Sequence, residues 1–547
     1  MTEETRESSG TLDRWARALG LRTNPTIFFV SAGLMVLFLA LLLAFPDQTG
    51  RVFTAGREWV VTNLGWFFIL GVSVWLIFLV GLAVSRFGRM RLGSDDDKPE
   101  YRNLSWFAML FAGGIGTILM FWGVAEPISH FTEPPRADVV PYSPEAAEDA
   151  MGFSIFHFGL HTWTIFTLPG LAFAFFVYRY KLPMRVSSVF YPILRDRIYG
   201  PIGKTIDIFA ILGTLFGVAV SVGLGTQQIN AGLAELIGAP DSVLVKVIII
   251  AVLTAVAVTS IVAGLDNGIK RLSNINIGAA VGLMVFVLVT GSTVFLLRQI
   301  IESVGIYATS IIPLSFWNDA MAQYTDPEGW GWQASWTVFY WAWTVTWAPF
   351  MGIFLARISK GRTIRQFVVG VLVAPTLFTV VWFSIFGWSA MDIDGIGGSG
   401  GDLSQLVVGE ENIPGAMFEF FANFPAATLV QGLAVVIVAI FFATSSDSAS
   451  LVVDMLCTGD AGSGPVRQRV FWGVAEGMLA ASLIVVAGEA GLTALQEVIT
   501  VVGLPIFILV FVMAFALFRG VQESAKAERV TEPARAPARP ALRRRPK

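Results

Sequence analysis

Trp343 and Trp347 stand one helical turn apart within residues 335–365, SWTVFYWAWTVTWAPFMGIFLARISKGRTIR. Two indoles at that spacing share one face of a helix, and the electron-rich faces of such rings attract a cation. The run 336–356 carries no charge and is long enough to cross a bilayer. It holds four tryptophans, Trp336, Trp341, Trp343 and Trp347, together with Pro349. An aromatic belt at the membrane interface, with ordinary helix packing, accounts for the same rings. On this stretch alone both readings stand.

A second set of groups suits a hard cation. Thr444 and Ser445 are adjacent hydroxyls at the end of the apolar run in FFATSSDSAS, residues 441–450. Na⁺ takes oxygen ligands of this kind, and unwound backbone near Ala112–Ile115 in a glycine-interrupted span would add carbonyls. A helix C-terminus followed by turn residues 446–450 explains the same pattern. Three titratable residues are read as structural. Glu126 closes the outer end of its helix rather than relaying protons, His161 packs beside Trp163, and Asp447 caps a turn or pairs with a cytoplasmic arginine. Cys457 is the only cysteine and the histidines are His130, His157 and His161, with no HExxH or similar metal motif. With no nucleophile–base pairing and no phosphate loop, neither an enzyme nor a cofactor is expected.

These groups need a frame to hold them. Of 547 residues, 55% are hydrophobic and 14% charged, with mean hydropathy +0.68 and net charge −3. Soluble proteins carry about a quarter charged residues, so the chain is read as a polytopic membrane protein. The charged start does not resemble a cleavable signal peptide. Hydropathy predicts twelve spans, at 27–45, 64–84, 106–123, 150–177, 206–225, 244–262, 277–297, 336–356, 367–386, 428–443, 470–487 and 500–518. Basic residues cluster at 178–204 and 357–365, whereas 387–425 has no Lys or Arg. That bias predicts both termini in the cytoplasm.

Two spans are interrupted, the third by Gly113, Gly114 and Gly116 and the eighth by Pro349. They lie five spans apart, as in transporters built from two inverted five-helix repeats. The chain then divides into an N-terminal segment 1–24, two added helices 25–100, a first repeat 101–298, an amphipathic periplasmic segment 299–334, a second repeat 335–518 and a basic tail 519–547. The tail is expected to be disordered or loosely helical, and to lie on anionic lipid or merely fix topology.

The motifs MFWGVAEP (120–127), GLDNGIKRLSNIN (264–276), the block FYWAW to GRTIR (339–365) and TSSDSAS (444–450) resemble the betaine/choline/carnitine transporter family over roughly 24–518. The resemblance implies an all-α membrane fold with twelve transmembrane helices in two inverted five-helix repeats. It also implies a homotrimer in the plasma (inner) membrane that takes up compatible solutes or quaternary-ammonium compounds, commonly for osmoprotection. The implied substrate box is aromatic. Trp163 matches one of its tryptophans, Phe158 stands where Trp is frequent, and Phe166 where Tyr is frequent. Trp343 is kept, with Trp347 below it, but Thr344 replaces the second of two adjacent tryptophans. The glycine stretch of sodium-coupled members becomes Gly114-Ile115-Gly116-Thr117-Ile118, with Ile118 narrowing the space beside the substrate. One implied Na⁺ site draws on the Ala112, Ile115 and Phe441 carbonyls and the Thr444 and Ser445 hydroxyls. A second retains Thr214 and Phe350 but has Val218 in place of its second threonine. Sodium symport of a glycine betaine-like solute by alternating access is the expectation. Its rivals are proton-coupled choline uptake or substrate exchange, which activity surviving Ser445→Ala would favour, and a solute-binding osmosensor acting through the tail.

Overall fold

A computed structural model describes residues 10–531, apart from 113–114, 264–265, 326–328, 460–461, 463 and 489–490. Among the described residues the chain is helical, with no named strand. The helices that build the membrane body are α1 (Pro25–Ala44), α2 (Pro46–Val84), α3 (Asn103–Ala112), α4 (Ile115–Thr132), α5 (Pro144–Phe158), α6 (Leu160–Ala174), α7 (Pro201–Ile237) and α8 (Val243–Ala263). They continue as α9 (Asp266–Thr290), α10 (Thr293–Ser315), α11 (Thr337–Thr346), α12 (Ala348–Ile358), α13 (Ile364–Asp394), α14 (Ala427–Thr458), α15 (Val466–Ala487) and α16 (Gly491–Thr531).

Local chemistry sets the ends. Asn24 accepts from the Ile27 N–H and is followed by Pro25, so α1 starts with one orphan donor capped and another removed. Ser143 and Pro144 repeat the device at α5. Thr363 and Gln366 form a reciprocal capping box at α13. Gly238, Gly395 and Gly459 close α7, α13 and α14 with positive φ, where a side chain would be strained.

Of the two expected interruptions, that of the eighth span is present; that of the third falls on 113–114, outside the described residues. The Gly331–Thr346 pair is bent by 55° from α12 at Trp347, one residue before Ala348-Pro349 opens the new helix. Pro349 has no N–H to lose in that first turn. A break between α5 and α6 was not expected. Gly159 separates α5 from α6, the Tyr307 hydroxyl accepts from the freed Leu160 N–H, and Thr162 Oγ1 donates to the His157 carbonyl.

The structure adds detail to three readings. The run 444–450 is not a turn: α14 continues to Thr458, because Thr444 donates to the Ile440 carbonyl, Ser448 to Thr444 and Ser450 to Ser446. Asp447 therefore sits inside a helix, where its Oδ1 faces Arg469 at 3.9 Å. The tail begins as helix, since α16 runs through 519–531, with the Tyr180 hydroxyl bonded to the Gly520 carbonyl and Arg195 to Glu523 at 2.7 Å. Of the amphipathic segment 299–334, residues 299–315 fall in the 23-residue helix α10, apolar enough by length and composition to be counted among membrane-length helices.

The buried heart is formed by α5, α6 and α7, while α8 and the last turns of α9 show most of their apolar surface outward, toward where lipid would lie. Around α7 pack α14, α11, α12 and α4, and α6 lies along α12. Lipid tails are as apolar as leucine, so close approach rather than hydrophobicity holds such helices together. A Cβ on Gly225 would fall 1.8 Å from the Phe442 ring, and one on Gly217 would fall 2.3 Å from Thr346 Oγ1.

One face of the bundle is bound by loop contacts. The Leu92 N–H reaches the Arg362 carbonyl (2.8 Å), Ile364 N–H reaches Met90 (2.9 Å) and Met184 N–H reaches Gly459 (3.0 Å). The Arg362 guanidinium lies 3.8 Å from the Trp106 ring centre and bonds Asn103 and the Tyr101 carbonyl. The basic cluster after α12 is thus a structural clasp as well as a charge bias. α1 begins and α16 ends on this proximal face.

Candidate functional site

The indole pair is held by a residue the sequence reading missed. Ser221, on α7, accepts from Trp343 Nε1 at 3.0 Å and from Trp347 Nε1 at 3.2 Å, while donating to the Gly217 carbonyl at 2.8 Å. Two acceptances and one donation exhaust a hydroxyl. The polar edges of both rings are satisfied by that one oxygen. Phe339 stacks on Trp343 (5.6 Å, 13°), and Phe350 meets Trp347 edge-on at 5.5 Å. Within 341–350 residual access falls on one side. Trp343, Thr344, Trp347 and Phe350 retain 4–5% of their surface, whereas Trp341, Ala342, Val345, Thr346 and Ala348 retain none. The accessible strip marks an internal face lined by those four side chains.

Opposite lies α6, packed against α11 and α12, with Trp163 and Phe166 edge to face at 5.7 Å. Among the described residues this pair makes no ring contact with Trp343 or Trp347. Phe158 precedes the Gly159 break. It stacks on Phe383 (5.2 Å, 13°) and meets Tyr340 edge-on. Ile118 is half-buried on α4. Gly114 lies outside the described residues. Gly116 lies on α4.

For a cation the donors divide. Thr444 Oγ1 lies 3.0 Å from the Phe441 carbonyl and 2.9 Å from that of Ile440. Its proton has a home on Ile440, which leaves a hydroxyl lone pair and the Phe441 oxygen at a spacing two ligands of one ion can share. Ser445 is half-buried beside them. α14 packs against α4. Ala112 and Ile115 flank residues 113–114, which lie outside the described residues. At the second site Thr214 is fully buried and bonds the Ala210 carbonyl at 2.9 Å, with apolar Val218 one turn on. Phe350 stands on α12, which packs against α7.

Glu126 is buried, and it joins three helices. Its Oε1 lies 2.6 Å from His157 Nδ1 on α5, and its Oε2 accepts from the Tyr340 hydroxyl on α11 at 2.6 Å. His157 Nε2 meets Thr337 Oγ1 at 2.9 Å. His161 is packed, its Nε2 3.0 Å from Ser315 Oγ and its ring stacked at 16° over Trp341.

A cavity of about 920 Å³ opens on the distal face, opposite the clasped loops. Its lining includes Glu133, Asp241, Glu410 and Glu411 against Lys246, which pairs with Asp241 at 2.6 Å. The excess of carboxylates draws cations into this mouth. Trp122, Trp336 and Gln227 also line it.

Comparison with known proteins agrees with this architecture. The family described as BCCT, betaine/carnitine/choline family transporter, matches residues 26–526. The chain is 48% identical over 510 residues to the ectoine/glycine betaine/proline transporter EctP of Corynebacterium glutamicum, covering 93% of this chain and 82% of that one. It is 38% identical over 501 residues to a probable glycine betaine transporter of Desulfitobacterium hafniense, covering 92% and 98%. To the high-affinity choline transport protein of Escherichia coli K12 it is 40% identical over 511 residues, covering 93% and 73%. With the match running from the first helix into the last, this chain belongs to the betaine/carnitine/choline transporter family and is a membrane transporter of small solutes, not an enzyme.

Proposed function

We propose that the protein imports zwitterionic compatible solutes, ectoine and glycine betaine foremost, by sodium symport and alternating access, in the service of osmoprotection. The observation that carries this reading is the pair of indoles tethered edge-first to Ser221, with the Thr344 hydroxyl on the same accessible strip. Ring faces attract a quaternary ammonium or a delocalised amidinium alike. Trp163 and Phe166 supply the facing wall. Thr344, where a second tryptophan would sit, accepts a hydrogen bond from a substrate that keeps N–H groups, as the ectoine ring does and a trimethylammonium group does not. Support also comes from the relative at 48% identity, whose name includes ectoine, glycine betaine and proline.

Sodium coupling rests on the Phe441, Thr444 and Ser445 oxygens with the Ala112 and Ile115 carbonyls, and one ion per cycle is expected because Val218 leaves Thr214 without a partner hydroxyl. Solute binds between α4, α6, α11 and α14, and the two repeats, 101–298 and 335–518, move against each other around it. The homotrimer and the contact of the 519–547 tail with anionic lipid belong to the same proposal.

Competition for labelled-ectoine uptake tests the substrate assignment. Thr344→Val keeps volume and removes the hydroxyl. It is expected to weaken ectoine about tenfold, the worth of one buried hydrogen bond, while leaving glycine betaine nearly unchanged. Equal losses for both solutes would contradict the assignment.

A further inference from the structure

We propose that Glu126, His130 and His157 form a binding site for a zinc-class transition-metal ion between α4 and α5, separate from the substrate cage and from the sodium oxygens. One ligand atom from each of the three residues can be chosen so that all lie within 4.8 Å of one another, and all three side chains are buried. Glu126 Oε1 is 2.6 Å from His157 Nδ1 and 3.4 Å from His130 Nε2. Two imidazole nitrogens and one carboxylate oxygen are the donor set of a three-ligand zinc centre with a fourth position open, and are poorly suited to Na⁺, Mg²⁺ or Ca²⁺.

Two further observations point to a ligand. His130 is 1% exposed, yet its Nδ1 has no hydrogen-bond partner among the described residues and its Nε2 has only the 3.4 Å approach of Glu126 Oε1. The other two ligands are already oriented from behind: Thr337 Oγ1 meets Nε2 of His157 at 2.9 Å, and the Tyr340 hydroxyl bonds Oε2 of Glu126 at 2.6 Å. Metal-binding histidines and carboxylates are steadied by such outer partners. Charge argues the same way. The ion-pair contacts of Glu126 are to imidazoles alone, and a carboxylate at membrane depth needs a counter-charge. A divalent ion supplies it with both rings neutral. Access is short, because Trp336 and Ser129 line the distal cavity while the Trp336 ring covers His130 at 4.5 Å. Bound there, the ion ties α4 to α5 beside the broken span and slows the cycle.

Tag-free protein in detergent, dialysed against Zn²⁺ and analysed for metal, is expected to hold one ion per chain, and Co²⁺ in its place to give a tetrahedral visible band. His130→Gln is expected to lose the bound ion, and His130→Cys, which restores a ligand, to keep it. Tyr340→Phe, which removes only the outer partner of Glu126, is expected to weaken binding by about 10–100-fold. In proteoliposomes, Zn²⁺ added to the distal side is expected to slow uptake by the unaltered protein and not by His130→Gln. No stoichiometric zinc in the unaltered protein, or the same zinc in His130→Gln, would overturn the site. Binding without slowed uptake would overturn the tie between α4 and α5.

Discussion

At the scale of single residues, Ser221 carries more of the site than its chemistry advertises. Its one hydroxyl fixes two indoles that come 122 and 126 positions later in the chain. Ser221→Ala leaves both indole N–H groups buried without a partner, at about 1–3 kcal/mol for each. The expected outcome is a rise in the KM for solute of at least about tenfold, read from uptake at saturating sodium, with protein yield unchanged. The spacing of Trp343 and Trp347 was legible in the sequence because i and i+4 share a helix face. Ser221 was not, since nothing local distinguishes a serine bonded to its own helix from one that also serves a neighbour. The same limit applies to Glu126: His130 lies one turn away on the same helix, but His157 arrives only through the packing of α5.

Helical elements were read well where apolar length decided and poorly where polar residues interrupted. Residues 444–450 read as a turn, yet each of Thr444, Ser448 and Ser450 returns its hydroxyl to a carbonyl one turn back. A polar run that satisfies itself in this way does not end a helix. The broken eighth span was legible from its proline, and the Gly159 break was not, because its compensation comes from Tyr307 on α10. Close approach of elements gives a direct test. Gly225→Ala places a methyl against Phe442, with an overpacking cost of about 1–3 kcal/mol, and should lower the thermal midpoint in detergent and abolish uptake. Gly432, on α14, faces open space. Gly432→Ala should leave both unchanged or raise the midpoint slightly, as helix propensity alone dictates.

For the molecule as a whole, the proposal is that the aromatic strip and the Thr444 oxygens set what travels between the acidic distal mouth and the clasped proximal face. A zwitterion carries no net charge, so the membrane potential acts on the cycle through its ion. One Na⁺ contributes about 2.3 kcal/mol per 100 mV, close to a fifty-fold concentration ratio, and two would square it. The measurement that bears most directly on this account is uptake of labelled ectoine and glycine betaine into proteoliposomes, first under an imposed Na⁺ gradient and then under a proton gradient alone. The expected result is accumulation with sodium only, at one ion per solute, with Thr444→Val raising the half-saturating sodium concentration by about tenfold or more. Accumulation driven by protons without sodium, or uptake indifferent to Thr444→Val, would contradict it.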